Sequence, residues 1–261
     1  MGRVPEQTNA CVEDSTIGRP GVATRFSPIH AWVRPHDYAM GRCTLGPTVS
    51  SELWWRVTAF GDSTSILPLA ALLAIWLYAR RESRRSGWLL VSAVLVGGGV
   101  VAASKVLYMA WGVHPPGMNF IGLSGHSAMA FLFWPALGAI VAAQWRRLPR
   151  WPGIAAGGVL AACVATSRLG LGVHSPSEVL LGSLWGAVVA ASYLWLARDA
   201  AITRRRYGRL LLLLLIPPLL LARQFSFPSN RILAYTAEQL AGHGAIYTRP
   251  ALRHDLDVLA H

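Results

Sequence analysis

Charged residues are scarce in this chain: they make up 14% of its 261 residues, whereas 53% are hydrophobic. Such a composition excludes an ordinary water-soluble domain and predicts an integral membrane protein. Acidic residues are especially few, with 12 Asp and Glu against 24 Lys and Arg, so the net charge is +12. The arginines cluster in short loops between apolar runs rather than on one basic face. We therefore expect a membrane partner and no nucleic acid.

Cysteine is also rare, and metal-binding patterns are lacking. Cys11, Cys43 and Cys163 lie far apart, without the spacing of a metal site. No acidic cluster offers the oxygen ligands that a divalent cation needs. The beginning of the chain lacks the succession of charged, apolar and small residues that marks a cleavable signal peptide. We predict no metal and no cofactor.

The chain has instead a series of apolar runs, most of them near the roughly 20 residues that cross a bilayer core. These runs predict an all-α fold, a polytopic membrane helical bundle with about six transmembrane helices. The expected spans are residues 63–79, 88–108, 127–145, 152–168, 178–197 and 210–222. The sixth run is short and contains Pro217 and Pro218, so it is expected either to span or to be re-entrant.

The pattern divides the chain into three segments. Residues 1–52 are rich in Pro, Gly, Ser, Thr and Arg, and we expect a disordered or weakly ordered N-terminal tail. Residues 53–223 form the expected membrane-embedded domain, which starts with paired tryptophans typical of an interfacial anchor. Residues 224–261 are interpreted as a C-terminal tail.

Arginine-rich loops orient the chain. They follow the first, third and fifth expected spans and mark the cytoplasmic side, because positively charged loops stay inside. The loops after the second and fourth spans therefore face outward. With a rise of ~1.5 Å per residue, Lys105 and Arg168 each lie roughly 25 Å along their spans, near the outer edge of a core ~30 Å thick. We expect these two cations to meet.

Ionisable side chains at this depth form a candidate site, because charged groups in hydrocarbon persist mainly where they face a cavity or one another. The segment SRLGLGVHSPSE contains Arg168, His174 and Glu178. Lys105, the only lysine of the chain, interrupts an apolar helix. For this lysine, snorkelling at the membrane interface is the structural alternative.

Two helix starts carry polar residues with more than one interpretation. Ser124, Gly125 and His126 precede the third span, where serine can cap and glycine lets backbone N–H groups approach an anion. A plain N-cap beside an incidental histidine is the alternative. The SPSE segment spells a capping box, yet the Glu178 carboxylate can also hydrogen-bond the ring of His174 and raise its basicity. Glu178 is expected to be the only acid in the outer half of the central helices.

Together these residues resemble the type 2 phosphatidic acid phosphatase family, which is related to the vanadium-dependent haloperoxidases. Its signature reads K-x6-R-P, then P-S-G-H, then S-R-x5-H-x3-D. The resemblance covers roughly residues 60–200, with the parts in the same order. The matching positions are Lys105, then Ser124, Gly125 and His126, then Ser167, Arg168 and His174.

The chain departs from this signature at three positions. Gly112 stands where the family has an arginine, Leu123 replaces a proline, and Glu178 replaces the final aspartate. His114, two residues after Gly112, is a candidate substitute for the missing guanidinium. These departures bear on substrate range and rate more than on the type of reaction.

The resemblance implies a metal-independent hydrolase of the acid phosphatase type that works through a phosphohistidine. The implied catalytic residues are His174 as nucleophile, Glu178 as its orienting carboxylate and His126 as proton donor and acceptor. The implied phosphate-binding residues are Lys105, Ser124, Gly125 and Arg168. The chemistry agrees, because phosphoryl transfer needs neutralised oxygens, an in-line nucleophile and an acid for the leaving group.

A site at the outer membrane edge suits a lipid phosphate as substrate. Phosphatidic acid, phosphatidylglycerol phosphate and polyprenyl diphosphates all fit this description. We expect a multi-pass protein of the bacterial inner membrane whose site faces the periplasm. A lipid phosphotransferase and a catalytically weak lipid-binding relative are the alternative functions.

Overall fold

The computed structural model describes residues 49–79, 81–115, 118–144, 149–198, 229–242 and 247. The sixth expected span at 210–222 and nearly all of the expected N-terminal tail lie outside the described residues. Regular structure in the described part is helical throughout, without strands, which confirms the all-α prediction. Its α-helices are α1 (Val49–Thr58), α2 (Ser63–Tyr78), α3 (Arg84–Trp111), α4 (Gly125–Ala142), α5 (Trp151–Gly170), α6 (Pro176–Leu196) and α7 (Ser229–Ala241).

Five helical stretches in this part of the chain are long and apolar enough to cross a membrane. The first runs from Glu52 to Tyr78 and includes most of α1, a short turn and α2. The other four correspond to α3, α4, α5 and α6, with the α3 stretch starting at Arg81. The protein is therefore a multi-pass membrane protein, as its apolar runs predicted.

The helix ends follow local sequence signals. Helix α6 begins with the predicted capping box: the Ser175 hydroxyl accepts the Glu178 N–H, and the Glu178 side chain accepts the Ser175 N–H. Gly112 is the C-cap that follows α3, and its φ of 66° lies in the left-handed region that favours glycine. Helix α2 begins after Asp62, whose side chain accepts the Thr64 N–H. These caps determine where the polar loops begin.

Helix α4 lies at the centre of the bundle and packs against α5 and α6. The backbones approach closely because glycines stand at the crossings. Gly138 lies against Gly153, and Gly157 lies against the backbone of Trp134, so that a Cβ at any of them would overlap main-chain atoms. Gly186 of α6 lies in the same way against Ala128. Small residues at helix crossings are a usual means of packing in membranes, where apolar burial gives little driving force.

Two helices lie in or beside segments that the sequence analysis treated as tails. Helix α1 begins at Val49 and packs against α5. Helix α7 lies within residues 224–261 and packs against α3. Neither contains an apolar run long enough to span a bilayer by itself, so hydrophobic patterning did not predict them.

Replacement of Gly157 by alanine is expected to lower the thermal stability of the protein in detergent. A Cβ there would meet the Trp134 main chain, and overpacking of this kind costs about 1–3 kcal/mol. Gly158→Ala is the matched control, because a Cβ at that position meets no atom within 4 Å. Thermal unfolding of both variants checks the expectation. Equal midpoints for the two would show that α4 and α5 do not depend on this contact.

Candidate active site

The predicted site residues are brought together at one end of the bundle, where the loop between α3 and α4 meets the start of α6. The Ser124 N–H donates to the Glu178 carbonyl over 3.0 Å, and the Ile121 N–H donates to Glu178 Oε1 over 2.9 Å. Gly182 of α6 also lies against the Ser124 backbone. Residues that are more than fifty positions apart in the chain thus share one small volume.

The carboxylate of Glu178 is fully buried and accepts hydrogen bonds at both oxygens. Besides the Ile121 N–H at Oε1, its Oε2 accepts the Ser175 N–H over 3.2 Å and lies 2.6 Å from His174 Nδ1. Because Oε2 already serves as an acceptor, we assign the proton of this contact to Nδ1. In this tautomer of the neutral imidazole, Nε2 carries the free lone pair and can act as the nucleophile.

The environment of His174 keeps its imidazole neutral. Burial lowers the pKa of His174 below its ordinary value, because its side chain is only 10% exposed. Glu178 opposes this effect through its hydrogen bond and charge, whereas the positive charges of Arg168 and Lys105 lower the pKa further. The lowered pKa favours the unprotonated ring, which is the form that can attack an electrophile.

Arg168 lies in the last turn of α5 and is 8% exposed. Its Nη1 donates to the Thr58 hydroxyl over 2.9 Å. Its Nε has no hydrogen-bond partner among the described residues. An unpaired buried N–H is costly and rare, so this guanidinium edge is suited to an oxygen of a bound ligand.

Ser124 and Gly125 begin α4 as predicted, but the serine does not cap the helix with its side chain. The Ser124 hydroxyl lies 3.0 Å from the Ser127 hydroxyl instead. The first N–H groups of an α-helix have no partner within the helix, and together with the helix dipole they favour an anion. This helix start therefore adds backbone donors to the charge of Arg168.

His126 has an acidic neighbour that the sequence analysis missed. Its Nε2 lies 3.5 Å from Asp62 Oδ2, and the side chains are 28% and 38% exposed. Arg168 and His174 are also within electrostatic reach of the ring. Asp62 is thus a second acid at this end of the bundle, from the residue that precedes α2. An N-cap pattern, Asp followed by Ser and Thr before an apolar run, was the signal that could have revealed Asp62.

Lys105 is partly buried near the end of α3 and acts electrostatically on His174. Gly122 lies against it: a Cβ there would come within 2.8 Å of the lysine side chain and 3.1 Å of its backbone. The ammonium group is 3.4 Å from the Asn230 side-chain oxygen of α7. These contacts and the effect on His174 place Lys105 beside the predicted site, and its meeting with Arg168 stays a prediction.

The contacts of His114 do not make it a replacement for the family's arginine. Its Nδ1 lies 2.7 Å from the Gly112 carbonyl, and its ring meets Tyr108 edge to face. A Cβ at Gly112 would come within 3.1 Å of the Tyr247 ring, so an aromatic side chain occupies the space beside that glycine. Within the described contacts, His114 belongs to this aromatic group rather than to the site.

The described part of the chain contains no group of three or more His, Cys, Asp or Glu side chains placed to hold a metal ion. The arrangement offers two imidazoles, each with its own carboxylate, between two cations and a helix start. Such a set can bind an anion, supply a nucleophile and transfer protons.

Comparisons with known proteins identify the family of this chain. The sequence pattern of the PAP2 superfamily matches residues 108–202, from the end of α3 to just beyond α6. A relative from Klebsiella pneumoniae, described as an uncharacterized 22.5 kDa protein in the cps region, is 34% identical over 202 residues. The match covers 76% of this chain and 97% of the relative. No solved structure matches the chain.

Inorganic phosphate is expected to stabilise the protein against heat, because it would satisfy the Arg168 guanidinium and the start of α4. At a hundredfold excess over Kd, the gain is about 2.7 kcal/mol. Arg168→Gln should lose this increment. Arg150→Gln is the matched control at the opposite end of α5 and should keep it, since Arg150 donates to the Arg198 carbonyl instead. Thermal unfolding with and without phosphate measures the increment in each variant. An equal increment in the two variants would contradict the assignment of Arg168.

Proposed function

Because this chain belongs to the PAP2 superfamily, whose members are phosphatases, we propose that it removes the phosphate of a membrane lipid through a phosphohistidine intermediate. The observation that carries the proposal is the contact between His174 Nδ1 and the buried Glu178, which leaves Nε2 as the nucleophilic atom. The reaction class is hydrolysis of a phosphoric ester or anhydride bond of the acid phosphatase type, independent of metal.

The phosphoryl oxygens would be held by Arg168, Lys105 and the N–H groups at the start of α4, where Ser124 and Gly125 lie. Arginine suits this task because its planar fork can bind two oxygens at once. Fixed positive charges of this kind stabilise the charge that is spread over the oxygens in the transition state. The Nε of Arg168, which has no hydrogen-bond partner within the described part of the chain, supports this role.

The reaction would take two steps. In the first, His174 Nε2 forms a bond to phosphorus while the bond to the leaving oxygen breaks, and His126 gives that oxygen a proton. In the second, His126 takes a proton from water, the water oxygen bonds to phosphorus, and the N–P bond breaks to release inorganic phosphate. His126 thus ends in the state in which it began.

A lipid phosphate is the substrate class that fits the position of the site. The residues lie at the ends of membrane-crossing helices, where a substrate can keep its acyl or prenyl chain in the bilayer. Phosphatidic acid, phosphatidylglycerol phosphate and polyprenyl diphosphates share this property. Arg84 begins α3, Arg150 precedes α5 and Arg198 follows α6, so these arginines are at the ends of the helices opposite to the site. This position favours a bacterial inner membrane with the site on the periplasmic side.

His174→Ala and His126→Ala are each expected to reduce phosphate release from a short-chain phosphatidic acid by about 10²-fold or more, because they remove the nucleophile and the proton donor. Glu178→Asp should retain much of the activity, and His114→Ala should retain most of it. Purified protein in detergent is assayed across lipid monophosphates and diphosphates, with and without an acceptor alcohol.

Two outcomes would redirect this proposal. Equal background rates for the wild type and His174→Ala over the whole panel would favour a lipid-binding protein without catalysis. Transfer of phosphate to the acceptor alcohol in preference to water would identify a phosphotransferase with the same site.

Glu178→Gln is expected to shift the acid limb of the pH profile to lower pH. The lowered pKa of His174 means that its ring loses its proton below about 6.5, so activity should fall only as the pH drops through that lower value. Glu178 raises this pKa, so loss of its charge moves the limb further down, while glutamine still serves the capping box. The pH dependence of kcat/KM for both proteins gives the difference. An unchanged or raised limb would argue against His174 as the titrating nucleophile.

A further inference from the structure

The site contains a second imidazole with its own carboxylate, and this carboxylate lies outside the stretch that matches the family pattern. Asp62 precedes α2, whereas the match starts at residue 108. Its Oδ2 lies 3.5 Å from His126 Nε2. That separation is an ion-pair distance at the upper limit of a hydrogen bond, as is common for catalytic groups before a substrate binds.

One oxygen of Asp62 is already engaged, which directs the other towards His126. Oδ1 accepts the Thr64 N–H over 2.8 Å and thereby caps α2. An aspartate that caps a helix has few rotamers left, because its side chain is hydrogen-bonded to the backbone N–H two residues later. The contact with His126 therefore comes from a side chain that is preorganised rather than mobile.

The turn before Asp62 is itself anchored to α4, the helix that carries His126. The Trp134 indole N–H donates to the Phe60 carbonyl over 2.9 Å. Gly61 is buried against α4: a Cβ there would come within 3.0 Å of the His126 carbonyl and 3.1 Å of its Cβ. Glycine is thus the residue that allows the turn to lie on the histidine. Two independent contacts hold Asp62 at this distance.

Asp62 is the negatively charged neighbour of a ring that lies near other cationic or ionisable groups. Arg168 from α5 and His174 from the following loop are within electrostatic reach of the ring. Among the described residues, Asp62 is the acidic side chain that lies against this ring, with its Oδ2 3.5 Å from Nε2. A residue that must hold and then release a proton needs such a counter-charge beside a guanidinium.

We propose that Asp62 is the positioning residue of His126 in the phosphatase reaction proposed above, on which this inference rests. Its Oδ2 accepts the Nε2–H of the ring, which leaves Nδ1 as the atom that exchanges protons. In the first step, Nδ1 gives its proton to the leaving oxygen as the P–O bond breaks. In the second step, Nδ1 takes a proton from water while the water oxygen bonds to phosphorus and His174 leaves. Asp62 keeps its hydrogen bond in both steps and exchanges no proton.

The two imidazole–carboxylate pairs differ in a way that suits their tasks. The pair of His174 and Glu178 is short and buried, at 2.6 Å with 10% and 0% exposure. The pair of His126 and Asp62 is longer and partly open to solvent. A nucleophile needs a single orientation in a dry place, whereas a residue that activates water needs access to water.

The test uses Asp62→Asn and Asp62→Ser, because both side chains can still cap α2 while the charge is removed. We expect each to lower kcat/KM for a short-chain phosphatidic acid by about 10²-fold, since its alkoxide needs a proton to leave. For p-nitrophenyl phosphate, the leaving group is a phenolate that needs no proton, so kcat/KM should fall much less. If Asp62 had only a structural role, kcat/KM would fall equally for both substrates, and that result would overturn the proposal.

A double-mutant cycle provides the matched control. Asp62→Asn in the His126→Ala background should cause no further loss, because a positioning residue has nothing left to act through. Additive losses in the double variant would show that Asp62 acts independently of His126, and the proposal would then be wrong.

A measurement without turnover separates this proposal from the function on which it rests. In protein labelled with ¹⁵N-histidine, the His126 resonance is assigned by its loss in His126→Ala. Its titration should move to lower pH in Asp62→Asn, because the imidazolium loses its counter-charge. An unchanged titration would overturn the pairing whatever the activity. A wild type that releases no phosphate, with the titration shifted, would refute the phosphatase function and with it the catalytic role, but not the pairing.

Discussion

The site depends on one buried carboxylate, that of Glu178. It accepts the backbone N–H groups of Ile121 and Ser175 and the ring proton that we assign to His174. The same residue thus closes the first turn of α6, holds the loop before α4 and orients an imidazole. Without it, two partly buried N–H groups would lose their partner, at a cost of at most about 1–3 kcal/mol each. Fold and chemistry are therefore coupled at this position, and an aspartate there would have to reach the same donors with a shorter side chain.

The membrane explains why the polar groups gather at the helix ends. Backbone groups in hydrocarbon must be satisfied within the helices, so irregular backbone that could line a pocket belongs near the interface. Close crossings at Gly157 and Gly186 bring α5 and α6 onto α4. The C-terminal end of α5 then lies beside the N-terminal ends of α4 and α6, and the Arg168 guanidinium is within electrostatic reach of His126 and His174.

Residues outside the stretch matched by the family pattern complete this end of the bundle. Asp62 and Thr58 come from the first span, and Asn230 comes from α7. Tyr247 packs beside Gly112, the position where the family signature has an arginine. In this protein, the space beside that position is thus taken by an aromatic ring, and the remaining cations, Lys105 and Arg168, carry the positive charge of the site.

The sequence by itself determined the five spanning helices of the described residues, the capping box of α6 and the choice of polar residues that meet at one end. These depend on apolar run length and on spacings of a few residues, which a chain carries locally. Tertiary structure alone decided that Asp62 faces His126, that Thr58 pairs with Arg168 and that α7 reaches Lys105. Each of these contacts joins residues more than sixty positions apart, and hydrophobic patterning does not specify which helices become neighbours. Their distances depend on glycine crossings and anchored turns, whose effect exists only once the helices are packed.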